Sequence, residues 1–526
     1  MNNSQHELFD FIIIGSGFGG SVSALRLSEK GYKVLVIEKG QRKGKTDFPK
    51  TNWNIRKYLW LPIVKCFGIQ QLHFFNKAFI LSGVGVGGGS LVYANTHMYP
   101  GSQFFETGSW NKFGPWQEKL KPFYLLAKKM LGTTKVQNLE IEDQLLKQVA
   151  EQIGRGDTFA PVEVGVYYSD DSQPKDPYFS GQGPLRSPCQ NCAACMIGCP
   201  HGAKNTLDLN YLYLAEKLGC QILPETEVYK IENHQGIFNV STKLSTSYFS
   251  QTKHFRSKGI VFSGGVLGTL PLLFAQKYKY KTMTQISDKL GESLRTNSES
   301  LCGTALADRK LNNGVAITSI IHPDENTFVE ICKYPNGSGL MGKLGIVAAG
   351  PGSIPMRIAK SILNTVRHPI RFLQLFFDFE FASRSIYFLV MQTLDNSMKM
   401  VYRRSAFGWF MSMSDDKNKK IPAYIEAGQD VMNRYTQLVN GVSVNSSYEV
   451  LFNLPSTAHI LGGCPMGKGA QEGVVNEKFE LNGYSNCYVL DASVISANLG
   501  VNPSLTITAI SEYAMSLIEN KPRGSI

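Results

Sequence analysis

FIIIGSGFGG (11–20) decides the fold. Phe11 to Ile14 are apolar on every residue, as a parallel strand covered on both faces must be. The glycines follow at once. Gly15 permits a tight turn, Gly17 lets backbone approach a pyrophosphate, and Gly20 lets the next helix lie close to the strand. SVSALRLSEKG (21–31) carries apolar residues at helical spacing, so its N-terminal N–H groups and positive dipole end face the phosphates. KVLVIEKG (33–40) then reads as a second strand ending on Glu38, 18 residues beyond Gly20. An acid there receives ribose hydroxyls and disfavours a 2′-phosphate, so the order strand, turn, helix, strand, acid predicts FAD or NAD rather than NADP.

The rest of the chain has room for more than this unit. With 526 residues, 43% hydrophobic and 18% charged, it predicts at least two structural units with substantial cores. The dinucleotide part reads as discontinuous, over 1–100, 205–275 and 483–526. Its later pieces are a helix in NTLDLNYLYLAEKLG, a strand in CQILPETEVYKIE, a polar hairpin-like stretch (233–257), and a strand, glycine turn and helix in KGIVFSGGVLGTLPLLFAQ. A final helix lies in SLTITAISEYAMSLI. Residues 101–204 and 276–482 remain for a substrate-binding domain and cap. Short alternating runs such as TFVEICKYP and SIYFLVMQTLD make that domain mainly antiparallel β-sheet with inserted helices. The fold class expected is therefore α/β, a Rossmann-like domain joined to a second, mostly β domain.

Composition narrows partners and compartment. The net charge of +12 suits an anionic surface, but no nucleic-acid motif accompanies it, so nucleic acid is excluded as a partner. No run of 18 uncharged apolar residues predicts a spanning helix, and the first strand starts too early for a removable leader. A cytoplasmic protein is expected, with its ten cysteines as thiols or ligands. WNIRKYLWLPIVKCFGIQQLHFF (53–75) and IAKSILNTVRHPIRFLQLFFDF (358–379) mix large apolar residues with Lys and Arg. They suit peripheral docking on a membrane or the lining of an apolar tunnel, and equally core helices with a basic outer face.

LSGVGVGGGSLVYANTHMYP (81–100) and PSTAHILGGCPMG with YVLDASVISANLGVNPSLTIT (455–508) carry a family resemblance. Gly87, Gly88 and Gly89 allow N–H groups to approach a cofactor without a Cβ in the way. Together these stretches resemble the glucose–methanol–choline (GMC) oxidoreductases, in the cholesterol oxidase-like branch. ETEV (225–228), SGGVLGTLPLL (263–273) and LGESLRTNSESL (290–301) match in order, so the resemblance spans nearly the whole chain.

The resemblance implies FAD as cofactor and oxidation of an alcohol as the reaction. It places His459 and Asn502 over the flavin. His459 takes or holds the hydroxyl proton while the carbinol carbon gives up hydride, and Asn502 orients the same oxygen. It also implies cofactor contacts from Ser90, Asn95, the backbone of Val228, Asp491 and the turn at Asn502 and Pro503, where a helix N-terminus meets the flavin. A covalent flavin link would use a residue such as His97, although a non-covalent loop histidine is the simpler reading. The substrate implied is an apolar alcohol or sterol, with oxygen or an electron-acceptor protein as oxidant. Other classes stay open: a dehydrogenase of sugars or long-chain alcohols, or a non-catalytic lipid-binding flavoprotein.

Two features sit apart from the pattern. Sterol oxidases have a carboxylate in the substrate cavity. Here the matching register falls near Ser338 to Leu340 without an acid, and Glu330 reads as a solvent-facing strand residue. SPCQNCAACMIGCPHG places Cys189, Cys192, Cys195 and Cys199 at the C-x2-C-x2-C-x3-C-P spacing of bacterial ferredoxins. An iron–sulfur cluster, zinc, or a packed loop of reduced thiols all fit that spacing.

Overall fold

The computed structural model describes residues 7–248, 251–367, 369–378, 380–416 and 419–522. Leu8–Ile14 forms the expected strand and is buried from Phe9 onward. It lies between two parallel partners, Val34–Ile37 and Thr252–Phe262. The seven-stranded sheet runs Gln221–Leu223, Val34–Ile37, Leu8–Ile14, Thr252–Phe262, Ile237–Leu244, Thr226–His234, with Cys487–Val489 added in parallel beside Ile260–Phe262. Strands far apart in sequence thus share one sheet. A buried polar knot also ties the covering helices. Glu512, on the helix Ser504–Ser516, accepts from Arg26 at 2.7 Å and from the Tyr211 hydroxyl at 2.6 Å.

Two expected elements differ in extent. CQILPETEVYKIE is two strands. Pro224 has no N–H to donate, and Glu225 takes a left-handed φ of 55°, so the chain leaves one edge of the sheet and rejoins at the other. The helix expected in NTLDLNYLYLAEKLG starts only at Tyr211, where the Asn210 side chain accepts the Tyr211 N–H.

The second sheet is antiparallel throughout. Its seven strands run Gly345–Val347, Val442–Ser446, Ser300–Ala305, Ile386–Gln392, Thr327–Cys332, Ile317–Ile321 and Ala160–Pro161. The central strands are covered on both faces: Ile317–Ile321 is buried at every residue and Thr327–Cys332 at four of six. A cavity of about 660 Å³ runs from the glycine turn of the first sheet to the face of the second. No helix among the described residues is long and apolar enough to cross a membrane.

Candidate active site

The two glycine-rich segments touch. Gly15 adopts φ 98°, and a Cβ there would lie 2.4 Å from the Ser263 carbonyl oxygen. Gly88, at φ 52°, would put a Cβ 2.7 Å from the Cα of Gly17. The turn after the first strand and the loop at 83–91 therefore form one wall that admits no side chain at Gly15 or Gly88. The N-terminus of the helix Phe18–Glu29 opens beside it. Glu38 completes this end. One carboxylate oxygen accepts from the Ser16 N–H at 3.0 Å and hydroxyl at 2.8 Å, and the other from Gly40 N–H at 2.8 Å.

Gly15, Gly17, Glu38, Gly88, Gly89, Val228, Asp491, His459, Asn502 and Pro503 all line this cavity. Gly20 stands behind it and packs helix on strand; a Cβ would be 2.0 Å from the Gly15 carbonyl oxygen. Asp491 accepts from the Thr269 hydroxyl at 2.6 Å and the Ser493 N–H at 2.9 Å, which fixes the turn between its strand and the final helix. Ser90 departs from expectation. Its hydroxyl donates to the Gly87 carbonyl at 2.7 Å and accepts the Leu207 N–H at 3.1 Å, so Ser90 and Gly87 shape the loop from behind and do not face the cavity. Asn95 also stands behind, between the lining residues Ala94 and Thr96. It is buried at φ 68° with neither side-chain polar atom partnered. His97 is buried away from the cavity, with its ring nitrogens 3.1 Å from the Tyr93 hydroxyl and 2.8 Å from Thr133 Oγ1. A flavin link at His97 does not fit.

FAD does fit the cavity. The wall without side chains suits a pyrophosphate, a carboxylate stands at the end of the second strand, and Pro503 opens the helix Ser504–Ser516 at the far end. Buried oxygens of Asn502, Glu330 and Glu299 lack hydrogen-bond partners within the protein. Bound FAD would supply a two-electron acceptor.

The chemistry converges on His459. It follows the short strand Ser456–Thr457, and its Nδ1 is 3.0 Å from Glu299 Oε2, as an ion-pair contact rather than an aligned hydrogen bond. Glu299 is held by the Thr457 hydroxyl at 2.7 Å and the Ala458 N–H at 3.1 Å. Burial works against the imidazolium, but the adjacent Glu299 carboxylate outweighs it, so the His459 pKa is raised above its ordinary value. With Nδ1 facing a carboxylate, Nε2 is the nitrogen left for a substrate hydroxyl.

Glu330 corrects the sequence reading. It is fully buried, and its carboxylate accepts from Asn502 Nδ2 at 3.2 Å. Its strand is covered on both faces, so alternation does not carry it to solvent. Burial pushes its pKa up to about 7, with the Glu299 charge adding and Asn502 opposing. Asn502 gives one amide hydrogen to Glu330, which leaves the other free for an acceptor in the cavity. Glu299 was not anticipated either. It is the fifth of six polar residues, Arg295 to Ser300, all buried, where hydropathy suggests an exposed loop. Only its place inside the matched stretch 290–301 marked it.

The Glu299→Gln variant is expected to move the ascending limb of the kcat/KM–pH profile to lower pH. In a proton transfer of this kind neutral imidazole would accept the hydroxyl proton, so rate would rise with pH through the His459 pKa. Removing the anion that stabilises the imidazolium lowers that pKa, and it lowers the Glu330 pKa in the same sense. A limb that stays put would dissociate Glu299 from the proton chemistry.

For the cysteine run the sequence leaves a cluster, zinc and a packed loop of thiols all open. Among the described residues no three His, Cys, Asp or Glu side chains converge on one ion. The four sulfurs border a narrow void, and the loop is pinned to separate neighbours: Cys189 N–H to Tyr167, Ala193 N–H to Gly314, and the Cys195 carbonyl to buried Lys204. Burial pushes the Cys189 thiol up to about 12 and the Cys195 thiol up to about 11, which favours thiol over thiolate. The loop is packed against these neighbours.

Beyond His459 the cavity turns apolar. Met196, Tyr334, Met341, Phe381, Tyr387 and Leu389 line it. A dinucleotide cradle that ends on a histidine and an asparagine, opposite an apolar chamber, defines an FAD-dependent alcohol oxidoreductase.

Known proteins agree. Residues 411–511 match the family model described as GMC oxidoreductase, and residues 10–50 match one described as FAD binding domain. A cholesterol oxidase of Acinetobacter baumannii is 40% identical over 98% of this chain and 95% of its own length. One of Mycobacterium tuberculosis is 40% identical over 98% of this chain and 91% of its own. The crystal structure of pyridoxine 4-oxidase from Mesorbium loti superposes with TM-score 0.58 at 14% identity, covering 97% of this chain and 99% of that one. The chain belongs to the GMC oxidoreductase family.

Proposed function

We propose that this enzyme oxidises the ring hydroxyl of a bulky apolar alcohol, a 3-hydroxysteroid such as cholesterol, to the ketone, and that molecular oxygen takes the electrons from its FAD. The observation that carries this reading is the apolar chamber opposite His459, walled by methionine, leucine and aromatic side chains. The two relatives named cholesterol oxidase support it at 40% identity over nearly the whole chain. His459 receives the hydroxyl proton while Asn502 holds the oxygen, and Glu299 keeps the imidazole turned. The ten cysteines, all free thiols, support a cytoplasmic setting, and the basic, apolar surface segments support peripheral contact with a membrane.

Purified protein given detergent-dispersed cholesterol in air is expected to form hydrogen peroxide and the 3-ketone in equal amounts. Ketone formed only with a dye acceptor would make the enzyme a dehydrogenase. Turnover of long-chain or sugar alcohols without any sterol oxidation would remove the steroid.

A further inference from the structure

A helix face covered by other elements is ordinarily apolar, and the helix Glu426–Leu438 departs from that on one side. Val431 and Tyr435 turn into the core of the second domain, as the rule requires. Gln429, Asn433 and Thr436, spaced i, i+4 and i+7, form a polar stripe on another face. That stripe borders a second cavity of about 460 Å³, which shares no lining residue with the substrate chamber. The volume lies within the range of small-molecule sites.

Two further helices, Ile354–Arg367 and Pro369–Phe377, close the cavity from the other side. Asn364, on the first, donates to the Ala348 carbonyl at 3.1 Å. Arg371, on the second, donates from Nη1 to the Gly441 carbonyl at 3.1 Å. The floor is the start of the strand Val442–Ser446.

The polar groups here have bonding capacity to spare. Gln429 is only 3% exposed, and its side-chain amide has no hydrogen-bond partner among the described residues. Asn433 Oδ1 accepts from the Ser443 hydroxyl at 2.9 Å, which leaves its amide hydrogens free. Arg371 Nη2 reaches only Asn440 Oδ1, at 3.5 Å, and no carboxylate pairs with the guanidinium among the described residues. A covered amide without a partner is unfavourable unless something polar fills the space it faces.

Charge and shape define the occupant. Arg371 is the one charged side chain on the cavity lining, and no Asp or Glu stands there. Val347, Phe372, Met432 and Val442 add apolar surface. A guanidinium and amide donors beside an apolar wall match a carboxylate that carries a short hydrocarbon chain. An uncharged ligand would leave the guanidinium unmatched, and a cation would be repelled by it.

We propose that this cavity is a second ligand site, which binds a small amphiphilic carboxylate through Arg371 and Gln429. The site adjoins the reaction chamber, because Val444, Asn445 and Ser446 of the same floor strand line that chamber. It does not depend on which alcohol the enzyme oxidises.

The test is isothermal titration calorimetry of the full-length holoenzyme with sodium octanoate, and with 1-octanol as the uncharged comparison. Octanoate is expected to bind at least about tenfold more tightly than octanol, since only the carboxylate forms a charge-assisted pair. Arg371→Met should weaken octanoate by about tenfold or more, and Gln429→Leu by about fivefold, with the FAD spectrum of both variants unchanged. No octanoate binding by the wild type would overturn the proposal, because the cavity would then hold water alone. Equal affinity for octanoate and octanol would overturn it too, by removing the carboxylate from recognition. So would octanoate that binds both variants as tightly as the wild type, which would place it in the substrate chamber instead.

Discussion

His459→Ala retains its FAD and loses flavin reduction by substrate, by about a hundredfold or more. The two effects separate because different elements carry them. The cofactor wall is built from the turns at Gly15 and Gly88 and from Glu38, and the histidine contributes no hydrogen bond to any of these. His459 does hold the one imidazole nitrogen that a hydroxyl in the apolar chamber can reach, since Nδ1 faces Glu299 at 3.0 Å. Its loss leaves Glu299 bonded to Thr457 and Ala458, so the loop keeps its anchor. The remaining candidate base, Glu330, is turned toward Asn502. Stopped-flow absorbance near the flavin band reads both quantities in one experiment. Unchanged reduction in this variant would remove His459 from the chemistry.

Gly88→Val gives the opposite pattern, a protein that folds but carries at least about tenfold less FAD. Its backbone sits at φ 52°, and its Cβ would stand 2.7 Å from Gly17 Cα and 3.1 Å from Gly17 N. Backbone cannot yield as a flexible side chain does. The two glycine loops must part, which widens the wall that faces the pyrophosphate. Gly236→Val is the control. Gly236 has φ 82° at a hairpin tip with nothing within 4 Å of its Cβ, so it bears comparable backbone strain without the clash. Flavin stoichiometry should fall in the first variant and hold in the second. Equal flavin content in both would show that the contact of the two loops does not shape the cofactor site.

These predictions draw on the part of the chain where local sequence and tertiary structure agree. The apolar run 11–14 forms a strand because it is paired on both sides, and Gly15, Gly17 and Gly20 each stand where a Cβ is excluded or close backbone approach is needed. The antiparallel character of the second domain was also legible, from runs such as Thr327–Cys332 and Ile386–Gln392. What sequence could not show was the direction of single side chains in strands covered on both faces. Glu330 looks outward on a simple alternation and is fully buried, because another layer of the protein lies where solvent was assumed. Ser90 lies among cavity residues in sequence but turns its hydroxyl back to Gly87. The cysteine spacing resembled a cluster motif, yet the loop's partners at Tyr167, Gly314 and Lys204 set where the sulfurs lie, and none of these contacts is visible in the spacing.

Glu299 shows the same limit from the other side. A run of six polar residues signals a loop in water, but here it threads the core and meets its partners from 457–458, more than 150 residues away. Burying such a carboxylate is unfavourable unless a cation or donors meet it. Its company of a histidine, a hydroxyl and an N–H is what makes it compatible with the fold and useful at the site.

The most direct test of the account is the visible spectrum of the purified protein under argon as cholesterol is added. The account predicts that the flavin bands bleach in the wild type as the sterol is converted to its ketone, and that they return when air is admitted. A flavin spectrum that cholesterol leaves unchanged, in protein whose FAD is reduced by dithionite, would contradict it.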